Sequence, residues 1–377
     1  MKKSQNRYFR PTYARIDLSC IRYNLSQIRK KLDKNTKVLV AVKADAYGHG
    51  IIEVSNALVK SGLDYLGVAT ADEALTLRRG GIKVPILIMS CLLPDEVEAI
   101  IKNNITQTVA DIKLASCINR CAARLKKRAR VHIKIDIGMG RIGIWHTEAL
   151  KLIKQLKNLK NIELEGIFTH LPNADEDEVL TKRQISDFSL LIDELQTSGI
   201  TIKYRHMANS IALLDYKDSH MNLVRPGLIV YGLYPLKSDF RRKIKLRPAL
   251  SLKTKIVFIK DVPAGRKISY GGTYTIKYPT RIATIPIGYG DGLNRRISNR
   301  GEVLIRGKRA PILGAVCMDQ IMVDCGKIAD AKVGDEVVLI GRQKKHEIRV
   351  EEIAGLCETI PYEVVCWISK RVPRVYK

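Results

Sequence analysis

Between Lys37 and Tyr234 the chain repeats one pattern eight times: a short apolar, β-branched run, then an amphipathic stretch of helical period. The runs cover residues 38–42, 65–69, 85–89, 106–110, 131–137, 163–170, 202–208 and 223–231. Near-continuous apolar runs bounded by polar segments read as strands buried on both faces. Helical segments fall between them, such as 95–102 and 178–195, with Asp or Thr near several starts as caps. Eight strand–helix units in series predict a (β/α)8 TIM-type barrel, whose functional groups gather at the C-terminal ends of its strands. The polar residues expected there are Lys43, Arg141, His170, Asn209 and Ser210, with Arg225 inside the eighth run.

After Pro235 the texture changes. Segments 251–259, 282–287, 303–306 and 336–340 alternate in polarity between Gly, Pro and Asp, with little helical period before 351–357. This predicts a second, mostly β domain. The expected division is 12–236 for the barrel and 237–377 for the β domain. Residues 1–11 are candidates to join the latter, and segment 12–18 is a candidate strand of it.

A length of 377 residues suits two domains. The formal net charge is +27, but acidic residues interrupt the basic ones along the whole chain. No RNP motif, zinc-finger spacing or basic zipper accompanies the charge, so a diffusely basic surface is expected, with no nucleic-acid partner. The eight cysteines are scattered and show no CxxC. They read as reduced thiols, with neither a disulfide framework nor a metal site. Residues 1–13 lack the apolar core of a signal peptide, and no apolar run is long enough to span a membrane. A cytoplasmic enzyme with no membrane partner is expected.

Lys43 closes the first run, in Val-Ala-Val-Lys-Ala-Asp-Ala-Tyr-Gly-His-Gly at 40–50. A lysine at the end of a buried strand is partly desolvated, which lowers its pKa and makes it a nucleophile able to form a Schiff base. Gly48 and Gly50 then release the chain into a helix, and Tyr47 offers a phenol to a phosphate. A snorkelling strand-end lysine is the plainer alternative. Arg225, expected within an apolar strand, requires a partner, and a buried ion pair is its plainer reading. His132, Lys134 and Asp136 share one strand face, so Lys134 inside a barrel also needs compensation, for which Asp136 is the simplest source.

The 40–50 string closely resembles the pyridoxal phosphate (PLP) attachment motif of the alanine racemase family. The similarity extends through His-Ile-Lys-Ile-Asp-Ile-Gly-Met-Gly-Arg-Ile-Gly at 132–143, His-Met-Ala-Asn-Ser at 206–210 and Arg-Pro-Gly-Leu at 225–228. It continues in Ser-Tyr-Gly-Gly-Thr-Tyr at 269–274, Ile-Gly-Tyr-Gly-Asp-Gly at 287–292, Cys-Met-Asp-Gln at 317–320 and Ile-Pro-Tyr-Glu-Val at 360–364. The resemblance implies a PLP-dependent isomerase interconverting L- and D-alanine for cell-wall peptidoglycan. A broader-specificity serine or lysine racemase is the nearest alternative.

By the same resemblance Lys43 carries the cofactor and serves one face of the substrate α-carbon, and Tyr270 serves the other. With a reference pKa near 10, a tyrosine acting as a base needs a neighbouring cation or donor. Tyr47, Asn209, Ser210, Gly227, Leu228 and Tyr362 are implied to bind the cofactor, mostly at its phosphate. His170 is implied to stack on the pyridine ring and Arg225 to face its nitrogen. Arg141 is implied to point at the phenolic oxygen, held by Lys134 in carbamylated form. Tyr289, Met318 and Asp319 are implied to meet the substrate from the other subunit of a head-to-tail homodimer. The chain departs from the family's usual pattern at Ile137, where Thr is common, and at Leu171-Pro172-Asn173 after His170.

Overall fold

The computed structural model describes residues 9–235 and 240–377. Strand β1 (Tyr13–Ile16) comes first. The barrel follows, with β2 (Lys37–Ala41), β3 (Tyr65–Val68), β4 (Ile86–Ile88), β5 (Gln107–Val109) and β6 (Ala129–Asp136). A two-residue strand, β7 (Ile144–Trp145), lies beside β6, before β8 (Ile162–Phe168), β9 (Tyr204–His206) and β10 (Leu223–Val224). Parallel pairing runs in the orders β10–β2–β3–β4 and β5–β6–β8–β9. A parallel bridge between Leu87 and Thr106 joins β4 to β5. Backbone bonds from Arg225 to Ala208 (2.9 Å) and from Asn222 to Arg205 (3.4 Å) close the other seam. All eight expected barrel strands are therefore present.

The strands are apolar because side chains fill the interior and helices cover the outside. Val38, Leu39 and Val40 are fully buried. The covering helices start where the sequence supplies caps: Asp17, Thr70, Asp111 and Asp177 each accept a first-turn amide. Each such cap contributes about 1 kcal/mol.

One local expectation is corrected, and one local feature is unanticipated. The eighth strand stops at Val224, because Pro226 has no N–H for the ladder, and a 3-10 turn, Leu228–Tyr231, replaces the rest. Arg225 thus lies just beyond the strand, in the connection. The unanticipated feature follows Lys43. Ala44, Asp45, Ala46 and Tyr47 all adopt φ of 50–54° and ψ of 46–51°, a left-handed helical turn, before the right-handed helix Ile51–Lys60 begins. The helix beyond Gly48 and Gly50 is the expected one.

The second sheet has the order Phe258–Val262, Thr280–Ile285, Ile321–Asp324, Lys308–Leu313, Glu302–Ile305, Glu336–Gln343, Leu250–Lys255, β1, Arg374–Tyr376. Segment 251–259, read as one strand, is two strands with different neighbours. β1 pairs antiparallel with Leu250–Lys255 and parallel with Arg374–Tyr376, so the early segment does belong to this sheet. The expected division at 236/237 falls outside the described residues.

Candidate active site

A cavity of about 730 Å³ opens at the C-terminal ends of the barrel strands. Its wall includes Lys43, Tyr47, Lys134, Arg141, His170, Asn209, Ser210, Arg225, Gly227 and Tyr362. Segments far apart in sequence are thus brought together around one space.

Lys43 follows β2 directly and its amine is drawn below the ordinary lysine value, first by burial and then by the Arg141 charge. A left-handed turn follows it. Left-handed backbone costs roughly 1–2 kcal/mol per non-glycine residue, so the turn needs external support. Glu73 supplies part of it, accepting the Ala44 amide at 2.6 Å and the Ala69 amide at 2.8 Å. Asp45 accepts the Ile51 amide at 2.8 Å. Beneath the turn, Arg374 donates to Gly48 O at 3.0 Å, and a Cβ at Gly48 would lie 2.3 Å from Val365 O.

One end of the cavity gathers neutral donors. The Tyr47 and Tyr362 rings meet edge-on, with centroids 5.6 Å apart. Burial pushes the Tyr47 phenol far above its usual value and Tyr362 up to about 12, so both keep their protons. Ser210 Oγ accepts the Gly227 amide at 2.9 Å, leaving its own O–H to donate. A Cβ at Gly227 would lie 2.8 Å from Tyr47 Oη, so glycine is what lets the phenol approach. Leu228 is buried and begins the 3-10 turn behind Gly227, and its side chain is not part of the wall. Two phenols, a hydroxyl and a glycine-lined approach fit a phosphate ester, and the adjacent soft amine fits an aldehyde. The residues present therefore fit PLP.

The opposite wall is cationic. Arg225 makes no ion pair among the described residues. Its Nη2 donates to Thr169 O at 2.6 Å and Met207 O at 3.0 Å, and its Nη1 bonds His206 Nδ1 at 3.0 Å. The plainer reading of a buried ion pair is thereby removed. Burial draws this guanidinium down to about 9. His170 falls to about 3, through burial and then the surrounding charges of Arg225, Lys134, Arg141 and Lys43, so its imidazole is neutral.

Lys134 is 2% exposed and falls to about 7, again by burial first and Arg225 next. The expected simple pairing with Asp136 is absent: Lys134 Nζ donates to Ile135 O at 3.0 Å. Asp136 Oδ1 instead accepts the amides of Gly138, Met139 and Gly140 at 2.8, 2.9 and 3.2 Å, shaping the loop that carries Arg141. Asn209 is also structurally committed, accepting the Ile211 and Ala212 amides and donating to Leu171 O at 3.0 Å.

Tyr270, Tyr289, Met318 and Asp319 do not line this cavity. Tyr270 is 74% exposed on the turn Tyr270–Gly272, held by Ser269 Oγ donating to Ala315 O at 2.6 Å. Tyr289 and Met318 lie in adjacent exposed turns, joined by the amides of Tyr289 and Gly290 donating to Cys317 O and Met318 O. Asp319 accepts from Arg371 at 2.7 Å.

Sequence reading missed Glu73, Phe168 and Cys366. Glu73 carries a signal, lying three residues after the cap Thr70, the spacing of a capping box. Cys366 follows Tyr362 by four on the helix Pro361–Trp367, and both reach the cavity.

Comparison with known proteins agrees with this geometry. The model of the alanine racemase N-terminal domain matches residues 16–235, and that of its C-terminal domain matches 249–376. An alanine racemase of Halothermothrix orenii is 46% identical over 372 residues, covering 98% of each chain. One of Methanococcus maripaludis is 43% identical, covering 97% of this chain and 98% of its own. The solved alanine racemase of Clostridium difficile superposes with a TM-score of 0.93 at 44% identity, covering 98% of this chain and 97% of that one. The Bacillus anthracis alanine racemase with bound L-Ala-P gives 0.92 at 37% identity, covering 98% and 96%. The match thus runs through the barrel and the β domain alike, and the chain belongs to the alanine racemase family of PLP-dependent isomerases.

Proposed function

We propose that this protein interconverts L- and D-alanine, with Lys43 and Tyr270 exchanging protons on opposite faces of the α-carbon. The observation that carries the reading is a softened lysine amine in the wall of a cavity that also gathers a cluster of neutral phosphate donors. When bound, the cofactor supplies the electron withdrawal that acidifies the α-C–H.

The rest is the work of this chain. Tyr47, Tyr362 and Ser210 hold the phosphate, and the close approach at Gly227 lets them converge. Neutral His170 would support the ring. Arg225, a donor only, would offer a hydrogen bond to the ring nitrogen and so keep it unprotonated. That would moderate the electron withdrawal and favour simple proton return to the α-carbon. Arg141 would serve the phenolic oxygen. Lys134, with no carboxylate partner and an amine near neutrality, is suited to carbamylation, which would give Arg141 an anion.

In this reading Tyr270 comes from a second copy of the chain, together with Tyr289 and Met318, since none of the three lines the cavity of one chain. The expected assembly is a head-to-tail homodimer in the cytoplasm, supplying D-alanine for peptidoglycan. The test is a spectrum with a racemisation panel. Purified protein should be yellow, bleach with borohydride, and act on alanine well above serine or lysine. A colourless protein that no added PLP reconstitutes, or a preference for lysine, overturns the reading.

A further inference from the structure

Below the cavity, the barrel interior holds a second polar chain that meets the roles above only at Arg225. It starts at Arg225, passes through His206 and His132, and reaches Glu165, all deeply buried. Glu165 is there because of a backbone irregularity. The register of β6 and β8 shifts between Val131 and His132, where Leu164 opposes Val131 and Gly166 opposes His132. Glu165 is the extra residue of a β-bulge, a device that re-aims a side chain. It also turns inward on the side of Gly166 and Phe168 instead of alternating away. Gly166 serves the same arrangement, since a Cβ there would lie 2.5 Å from the His132 ring.

The donors settle the proton positions. Arginine has no acceptor, so His206 Nδ1, 3.0 Å from Arg225 Nη1, must accept. Neutral His206 then carries its proton on Nε2 and donates to His132 Nδ1 at 2.9 Å. His132 in turn carries its proton on Nε2, which faces Glu165 Oε2 at 3.5 Å. That contact is longer than a normal hydrogen bond and leaves His132 Nε2 without a close partner, so it acts as an electrostatic pairing. Glu165 Oε2 also accepts from the Tyr65 hydroxyl at 3.0 Å. Its Oε1 faces Arg130 at 3.9 Å and Lys203 at 3.7 Å.

We propose that His206, His132 and Glu165 are positioning residues for Arg225: a one-way donor chain, ending on a carboxylate, that fixes how the guanidinium presents its N–H groups to the cavity. A second proton on His206 would set donor against donor at Arg225. Burial opposes that proton, pushing both imidazoles below their ordinary value. The catalytic consequence rests on the reading of Arg225 given above, whereas the tautomers do not.

The test uses holoenzyme labelled with ¹⁵N-histidine, with His206 and His132 signals assigned from H206Q and H132Q variants. Both rings should be neutral and protonated on Nε2 in the unsubstituted protein. In E165Q, the chain loses its terminal anion and its amide can donate back toward His132. A population protonated on Nδ1 should then appear at both rings. The expected fall in kcat is roughly tenfold, the scale of mutations along a coupled network, with KM within about twofold and full PLP content. An Nδ1–H tautomer in the unsubstituted protein overturns the proposal without any variant needing to fold. So does an E165Q protein with shifted tautomers and an unchanged kcat. If both tautomers and the E165Q effect are as stated but R225K racemises at the parent rate, the donor chain stands and the reading of Arg225 fails.

Discussion

Lys43 and Lys134 face one cavity, and their surroundings give them different chemistry. Lys43 is half-buried with a glutamate nearby, while Lys134 is sealed among cations. K43A should lose the borohydride-reducible imine, and a reducible protein imine retained in that variant would move the attachment elsewhere. For Lys134 the sign can be worked out. Its folded pKa, about 7, is below the usual 10.5, so between those values the unfolded state binds the extra proton. Stability attributable to this group therefore rises with pH across that window, and below pH 7 the full penalty of a buried charge applies. In CO2-free buffer, K134M should melt above the parent at pH 6, by roughly 2 °C or more, with the gap shrinking toward pH 10. An equal gap at both pH values would show that the buried amine is not the cause. For Tyr270, Y270F keeps the ring and removes the proton carrier. Racemisation should fall by roughly a hundredfold or more, measured in both directions.

The left-handed turn at Ala44–Tyr47 is the element that sequence rules would not find. Ala44, Asp45 and Ala46 have no glycine among them and read locally as an ordinary helix start. The barrel was legible because buried parallel strands demand apolar runs, and the cavity because residues at strand ends must converge in a closed barrel. What remained hidden depends on contacts distant in the chain: the hold of Glu73 on Ala44, that of Arg374 on Gly48, and the bulge that turns Glu165 inward. Arg225 was misplaced because Leu223 to Tyr231 looks continuous until the missing N–H of Pro226 is counted. A44G should relieve backbone strain at this exposed position and stabilise the protein by about 1 kcal/mol. E73A strands two amides, so it should cost about 1–3 kcal/mol and weaken PLP retention, read by cofactor loss on dialysis. Unchanged retention in E73A would mean the turn stands without its carboxylate.

At the scale of the whole molecule, the separation of Tyr270 from Lys43 makes a strong demand on assembly. Mixed K43A and Y270F chains, each inactive alone, should regain about a quarter of the parent's sites after random subunit exchange, since each mixed dimer holds one intact site of two. Demonstrated mixed dimers without activity would place both groups in one chain. The net charge of +27 is dispersed among acidic residues, so DNA should not retain the protein at physiological salt. The position of β1 has a further consequence, for synthesis. This strand leaves the ribosome more than two hundred residues before either of its neighbours, Leu250–Lys255 and Arg374–Tyr376. The barrel can form vectorially as its units emerge, but β1 must wait for Leu250–Lys255 to pair one edge and for Arg374–Tyr376 to pair the other. Nascent chains stalled short of Arg374 should therefore show protease-sensitive residues 9–17 beside a protected barrel, and release of the finished chain should protect both together.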